Sequence, residues 1–420
     1  MHHFSYREHV LHAEDVPIPD IAAAVGTPFY CYSTATFERH YRVFAEAFDG
    51  LNTLICYAMK ANSNQAILRM LARLGSGADV VSAGELKRAL AAGIPPSKIV
   101  FSGVGKRRDE LELALETGIL CINVESEPEL RALSEVATAL GVEAPVSLRI
   151  NPDVDAGTHE KISTGRKADK FGIDFQDARR VYALARDLPG IRTVGVDMHI
   201  GSQITALEPF DSAFSKLGDL VADLRADGHE IDHIDLGGGL GIPYQSDGET
   251  PPLPKDYADV VKKHMNRMGA QVLFEPGRLI AGNAGILVTE VIYVKTGDKT
   301  FVIVDGAMND LIRPTLYDAH HDIIPVRDPK TTEMRTVDVV GPVCESGDFL
   351  AKDRTLPALK AGDQLAILSA GAYGAVQSGT YNSRPLVPEV LVNGSSFHVV
   401  RPRPTLDEMI RLDSIPEWLA

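Results

Sequence analysis

Leu54-Ile55-Cys56-Tyr57-Ala58-Met59-Lys60-Ala61-Asn62 is an apolar run that ends on a lysine. A run of this length bounded by polar residues reads as a buried strand, and Lys60 stands where the strand gives way to polar chain. A lysine at a strand mouth is a candidate chemical group, although most lysines are solvated charges. Working outward, the same unit recurs to about residue 283: a short apolar run, a polar or glycine-rich turn, an amphipathic helix. The runs are Leu54–Met59, Ala78–Val81, Ile99–Phe101, Leu120–Val124, Val146–Ile150, Val194–Ile200, His233–Leu236 and Val272–Phe274, eight in all. Helices between them are signalled by their ends: Ser126-Glu127-Pro128-Glu129 reads as a capping box and Gly141 as a C-terminal stop. Eight strands alternating with helices over roughly 250 residues is the size of a (β/α)8 TIM-type barrel. A doubly wound open sheet would alternate in the same way, but no dinucleotide fingerprint follows the first strand, so the barrel is the predicted fold.

The flanking chain has a different texture. Residues 1–30 carry Pro17, Pro19 and Pro28 without strong periodicity and read as an N-terminal segment of extended chain and short strands that packs with another part of the protein, the β domain. Residues 31–283 are assigned to the barrel domain. Its first helix is capped by Ser33 or Thr34, buries Phe37, Tyr41, Phe44 and Phe48 at helical spacing, and stops at Asp49-Gly50. Residues 284–420 form a C-terminal, mostly β domain, with strands expected at Ile286–Val294, Thr300–Val304, Val337–Val340, Gln364–Leu368, Val390–Val392 and Phe397–Val400 between Gly, Pro, Asp and Asn turns. The charged segment Arg327–Arg335 reads as a solvated loop.

Composition narrows the function. A net charge of −15 argues against a nucleic-acid partner, while leaving room for an anion held locally. No apolar run reaches the ~18–20 residues of a membrane span and no signal peptide opens the chain, so a cytoplasmic protein without a membrane partner is expected. The four cysteines, Cys31, Cys56, Cys121 and Cys344, lie far apart without a Cys-x-x-Cys pair, as reduced thiols do.

In a barrel the chemistry sits at the C-terminal ends of the strands. There the sequence places Lys60, Asp79, Ser102 and Gly103, Asn123 and Glu125, Arg149, His199 and Ser202, Gly237-Gly238-Gly239, and Glu275-Pro276-Gly277-Arg278. Each has a structural explanation on its own: Asp79 and Arg149 as an internal ion pair, His199 as a satisfied core histidine, the glycines as a tight turn, Glu275 as a cap. Together they put a cation, anions, a flat ring and bare backbone amides around one mouth. Pyridoxal phosphate uses all of these, with its phosphate on the glycines, its aldehyde on a lysine and its ring nitrogen on a carboxylate. A metal is not expected, since no ligand spacing such as His-x-x-x-His occurs.

The stretches Tyr57-Ala58-Met59-Lys60-Ala61-Asn62-Ser63-Asn64, His199-Ile200-Gly201-Ser202-Gln203, Asp235-Leu236-Gly237-Gly238-Gly239, Glu275-Pro276-Gly277-Arg278 and Gly341-Pro342-Val343-Cys344-Glu345-Ser346-Gly347-Asp348 resemble the diaminopimelate decarboxylase family, fold-type III enzymes related to the alanine racemases. The resemblance runs from about Pro28 to Pro385. It implies that Lys60 carries pyridoxal 5'-phosphate, that His199 stacks on its ring, and that Ser202, Gly237, Gly238 and Gly239, with backbone from Gly277 and Arg278, hold its phosphate. Asp79 and Arg149 belong to the same cofactor set. Glu275 would keep the ring nitrogen protonated, where the racemases place an arginine; this favours decarboxylation over racemisation. The resemblance further implies Cys344 as proton donor, Glu345 on the distal ammonium of the substrate, and Arg278, Arg313 and Tyr317 on its distal carboxylate. Tyr373 would reach the cofactor phosphate or the substrate. It also implies a homodimer with the active site at the interface, Cys344, Glu345 and Tyr373 acting across it. The loop Thr158–Gly172, with Lys161, Arg166, Lys167 and Lys170, reads equally as a cover for the site and as a solvated loop.

The expected activity is decarboxylation of meso-2,6-diaminopimelate to L-lysine and CO2, the last step of lysine biosynthesis. The competing expectations are an ornithine, lysine or arginine decarboxylase on the same scaffold, which has no need of a second carboxylate clamp, and a non-catalytic cofactor-binding protein, which would lack the β domain with Cys344 and Glu345.

Overall fold

The computed structural model describes residues 2–156, 164–165, 169–246, 248, 250–329 and 333–419. It divides into two compact units, one made of Glu38–Pro243 and Glu249–Ile280, the other of Met1–Phe37, Tyr244–Gly248 and Ala281–Ala420.

The first unit is a closed parallel barrel. Its strands are β1 (Thr53–Ala58), β2 (Gly77–Val80), β3 (Ile99–Phe101), β4 (Cys121–Val124), β5 (Ala144–Asn151), β6 (Ile191–Asp197), β7 (His233–Asp235) and β8 (Gln271–Phe274). Each pairs in parallel with the next, and β8 returns to β1 through Val272–Thr53, Leu273–Leu54 and Phe274–Ile55. The predicted barrel is therefore the observed one, with boundaries shifted by a few residues. Met59 and Lys60 leave the first strand and enter a 3-10 turn, Met59–Ala61, and β6 ends at Asp197, so Met198, His199 and Ile200 lie in the loop after it.

Side-chain size explains the narrow interior. Toward one end Cys56, Val100, Cys121, Val194 and Leu273 form a closed apolar layer. Gly195 is required beside it, because a Cβ there would lie 2.5 Å from the His233 ring and 2.6 Å from Ser147 Oγ. On the outside, helices Thr34–Ala47, Glu208–Ala226 and Pro254–Met268 gather Phe44, Phe48, Phe210, Phe214 and Tyr257 around Phe274 of β8, with the Phe48 and Phe274 ring centroids 4.3 Å apart. Aromatic contacts of this kind carry much of a core's burial energy.

The predicted capping box is half right. Ser126 Oγ accepts from the Glu129 N–H and Gly141 closes the helix in the left-handed conformation. The Glu129 carboxylate, however, accepts from the Glu125 N–H and from Lys106 Nζ at 2.8 Å. Lys106 is almost fully buried, and a buried ammonium needs its carboxylate more than a helix terminus needs a second cap.

In the second unit the central strand Gly285–Thr296 pairs antiparallel with Phe29–Ser33, Thr300–Val304 and Gln364–Ile367. Phe29–Ser33 in turn pairs in parallel with Glu389–Asn393, which forms a hairpin with Ser396–Arg401. Residues Phe4, Leu11, Ala13, Val16, Ile18 and Ile21 pack into the same core as Ile286, Val288, Val390 and Val392. Three strands had no clear signal in the sequence. Phe29–Ser33 is buried on both faces and shows no alternation. Phe349–Pro357 is interrupted by Lys352-Asp353-Arg354, with Asp353 at φ 51° and register shifts against Met334–Val340. Ile323–Pro325 spans only three residues. All four cysteines are free thiols; three are buried and Cys344 is exposed.

Replacing Lys106 by Met should cost about 3–5 kcal/mol of stability, because it leaves the Glu129 carboxylate buried without its cation. Urea unfolding at neutral pH would show this loss, and the double variant Lys106→Met/Glu129→Gln should recover most of it.

Candidate active site

The barrel brings its strand-end residues to one mouth. Lys60 Nζ donates to Asp79 Oδ2 at 2.9 Å, and Asp79, fully buried on β2, has no partner on Oδ1 among the described residues. Arg149 pairs with Glu125 at 3.0 Å, its Nε lies 4.0 Å from Asp197, and its guanidinium carbon sits 5.0 Å from the centre of the Phe171 ring. Asp79 and Arg149 are thus not each other's ion pair; each serves a different charge. Glu125 also accepts from the N–H groups of Gly103 and Gly172, which ties the loops after β3 and β5 together.

His199 accepts from the Gly238 N–H on Nδ1 at 3.1 Å, so in the neutral ring its proton is on Nε2. Burial, and then the charges of Arg149 and Lys60, hold its pKa well below the ordinary value. His199 therefore presents an uncharged flat face. The three glycines after β7 are required by close approach: a Cβ at Gly237 would lie 2.7 Å from His199 Nδ1, at Gly238 2.3 Å from the Glu275 carbonyl oxygen, and at Gly239 2.5 Å from the Gly201 carbonyl oxygen. Gly237 and Gly239 also have φ of +65° and +110°, a region that side chains disfavour. A Cβ at Gly277 would lie 3.0 Å from Ala61 Cβ and 3.1 Å from the Ala58 carbonyl oxygen, a looser but still tight approach, and Arg278 donates to Ser202 Oγ from both Nε and Nη2. The result is a cradle of bare backbone with a hydroxyl and a guanidinium at its edge.

Glu275 Oε1 accepts from Ser102 Oγ at 3.2 Å and from Asn123 Nδ2 at 3.5 Å. Carboxylate oxygens of Asp197, Asp235 and Glu275 all lie within 4.8 Å of one another, and all three residues are buried. Burial raises the pKa of each first; the charge of Asp235 then raises Asp197 and Glu275 further, and Asp235 itself rises to about 6. Three dry carboxylates at this spacing do not all ionise together.

The remaining predicted residues belong to the β unit. Arg313 opens the helix Arg313–Tyr317, is buried, and donates from Nη1 to His321 Nε2 at 2.8 Å; Tyr317 lies one turn on, on the same face. Cys344 and Glu345 are exposed, in a loop held from below: Asp348 accepts from the N–H groups of Val343 and Met308, and Thr315 Oγ1 donates to the Gly347 carbonyl at 2.6 Å. These contacts fasten the Cys344 loop to the segment that carries Arg313 and Tyr317. The Cys344 N–H donates to Asn382 Oδ1. Tyr373 takes a left-handed φ of 56°, the kind of backbone strain that collects at functional sites. Lys161, Arg166 and Lys167 lie outside the described residues; Lys170 is described, with Nζ 5.2 Å from the Phe171 ring centre.

The sequence reading gave no role to Asp197 and Asp235. Asp235 stood in the quoted Asp-Leu-Gly-Gly-Gly stretch. Asp197 sat inside an apolar run, and an acid within such a run was the signal that could have found it.

The cradle, the neutral ring and the paired lysine fit a flat, phosphorylated, aldehyde-bearing ligand. Residues 34–282 match the pyridoxal-binding domain of the pyridoxal-dependent decarboxylases, which places the chain in that class of pyridoxal phosphate enzymes. It is 54% identical to the diaminopimelate decarboxylase of Vibrio cholerae, over 99% of either chain. Among solved structures it is similar to the diaminopimelate decarboxylases of M. jannaschii, in co-complex with L-lysine (37% identity, TM-score 0.94, 99% of each chain), and of Helicobacter pylori, complexed with L-lysine (43% identity, TM-score 0.90, 94% of this chain and 98% of that one). The chain belongs to the diaminopimelate decarboxylase family.

The crowded carboxylates set a pH dependence in the cofactor-free protein. Because the folded state raises the Asp235 pKa from 3.8 to about 6, it binds that proton more tightly than the unfolded chain does. The associated stability is fully present below the unfolded pKa and is lost as pH rises through the folded one, a change of order 3 kcal/mol. Asp235→Asn should therefore gain stability over the parent between pH 4 and pH 8 in denaturant titrations of the cofactor-free protein; a difference that stays flat with pH would contradict the burial that raises the Asp235 pKa.

Proposed function

We propose that the chain decarboxylates meso-2,6-diaminopimelate to L-lysine and CO2, the last step of lysine biosynthesis, with pyridoxal 5'-phosphate as cofactor. The observation that carries this reading is one barrel mouth that joins Lys60, the 237–239 glycine cradle and Glu275, in a chain that matches a diaminopimelate decarboxylase over its whole length. Bound, the cofactor supplies an electron sink for the electron pair left behind when CO2 departs.

The chain's own residues divide the remaining work. Lys60 holds the cofactor aldehyde, with Asp79 keeping the ammonium in place until then. The Gly237, Gly238 and Gly239 turn, which leaves room for close approach, holds the phosphate with Ser202 and backbone from Gly277 and Arg278; Tyr373 reaches the phosphate or the substrate. His199, neutral, covers the ring, and Arg149 lines the pocket through its pairing with Glu125. Glu275 holds a proton at the ring nitrogen, the carboxylate and the cationic nitrogen each favouring the charged form of the other. Cys344 delivers a proton from Sγ to the carbon that lost CO2. Glu345 takes the distal ammonium, and Arg278, Arg313 and Tyr317 take the distal carboxylate, for which guanidinium geometry is suited. An ornithine- or arginine-type decarboxylase would have no use for that last group of residues.

Residues 31–283 carry most of the cofactor set and residues 284–420 most of the substrate set, with Arg278 and Tyr373 crossing that division, and residues 1–30 brace the β domain. The working form is a cytoplasmic homodimer in which Cys344, Glu345 and Tyr373 complete the site of the partner subunit. The exposure of Cys344 and Glu345 supports this reading, and among the described residues no helix is long and apolar enough to cross a membrane.

The test is release of CO2 and lysine from meso-diaminopimelate with and without added cofactor, against lysine and ornithine as competing substrates; preference for either monocarboxylate would refute the assignment. Cys344→Ala should lose roughly 10²–10⁴ in kcat, the usual worth of a positioned proton donor. Lys60→Ala and Cys344→Ala, each inactive, should regain roughly a quarter of normal activity when refolded together in equal amounts, since half the random dimers hold one intact site; no recovery would place both residues in the same subunit's site.

A further inference from the structure

Arg313 is not held by an acid at the contact that fixes its Nη1. Its partner there is His321, a fully buried imidazole whose two nitrogens face opposite kinds of group. Nδ1 lies 2.8 Å from the Leu368 carbonyl oxygen, which can only accept, so Nδ1 carries the proton. Nε2 is then a lone pair, and it lies 2.8 Å from Arg313 Nη1, which can only donate. The ring is held in this orientation by the backbone: Leu368 N–H donates to the Asp322 carbonyl, and the adjoining strands Ile323–Pro325 and Gln364–Ile367 pair antiparallel. Tyr244 completes the box, with its ring 4.6 Å from the guanidinium carbon and edge-on to His321 at 5.2 Å.

We propose that His321 is the positioning residue for Arg313, fixing the guanidinium so that the site prefers an amino acid bearing a distal carboxylate over a plain diamine. This rests on Arg313 being part of the carboxylate clamp. A carboxylate partner at this place would neutralise the guanidinium and compete with the substrate's own carboxylate. A neutral imidazole orients the cation without itself bringing a negative charge to it. An arginine fixed before binding also loses less freedom when the substrate arrives.

The experiment uses the cofactor-loaded enzyme and three ligands: diaminopimelate, L-lysine, which retains the distal carboxylate, and 1,5-diaminopentane, which has no carboxylate. His321→Phe keeps a ring against Tyr244 and removes the acceptor. It should raise KM for diaminopimelate and Ki for L-lysine by about tenfold, with kcat and the Ki of 1,5-diaminopentane within about threefold of the parent. His321→Gln restores an acceptor and should recover most of the loss. Where phenylalanine does not fold, His321→Met, which adapts to irregular space, is read in the same way. Arg313→Ala serves as the reference. If it weakens L-lysine selectively and the His321 variants do not, the positioning role is overturned while the clamp stands. If Arg313→Ala leaves L-lysine binding unchanged, the clamp reading itself fails and the proposal with it. Equal weakening of L-lysine and 1,5-diaminopentane by His321→Phe would mean general packing and would also overturn the proposal.

Discussion

Closing eight strands into a barrel forces the acids at their ends together, and the mouth is organised around that excess of negative charge. Asp79, Asp197, Asp235 and Glu275 are all buried there. Lys60 answers Asp79, Arg149 lies at the edge of Asp197 and is shared with Glu125, and backbone N–H groups and neutral side chains answer the rest. In so dry a setting an unanswered carboxylate takes up a proton. The arrangement therefore raises the proton affinity of Asp197, Asp235 and Glu275, while apolar burial is supplied elsewhere, in the aromatic packing around Phe274.

The β unit works by a different economy. Few of its chemical residues are charged and buried; Cys344 and Glu345 lie open on a loop. Rigidity comes instead from below, where a single carboxylate, Asp348, accepts from the backbone of two segments and Thr315 adds a third tie. Gly341 is needed for this, since a Cβ there would come within 2.5 Å of the Asp348 oxygens. The same logic governs Arg313, positioned by a neutral ring and an aromatic face. In both cases a neighbouring side chain supplies the hydrogen bonds that hold the segment in place.

Much of this was legible in the chain. The eight apolar runs gave the barrel because strand periodicity and helix caps are local signals, and the strand ends named the cofactor because a cation, acids, a flat ring and bare amides, each ambiguous alone, share one ligand when taken together. What the sequence could not show was pairing across the barrel. Asp79 and Arg149, natural partners by charge, turn out to serve Lys60 and Glu125. Glu129, a capping-box residue by spacing, is drawn away by a buried lysine 23 residues upstream. Asp197 stood out as an acid inside an apolar run, but the run alone does not show that it meets Asp235 and Glu275 across the barrel. Phe29–Ser33 and Phe349–Pro357 failed for the opposite reason, their strand character being set by neighbours far along the chain.

The short segment Tyr244–Gly248 has a wider meaning. It lies between two barrel elements in the sequence, yet it belongs to the other compact unit, where Tyr244 covers Arg313 and His321, Gln245 bonds His320 and Ser246 donates to Asp322. The barrel therefore cannot be excised as one uninterrupted length of chain without taking the aromatic cover of Arg313 and His321 with it. A β unit grafted from a relative would arrive without its own Tyr244. Recombination between homologous genes would have to respect five residues far from any domain boundary that the order of the chain suggests.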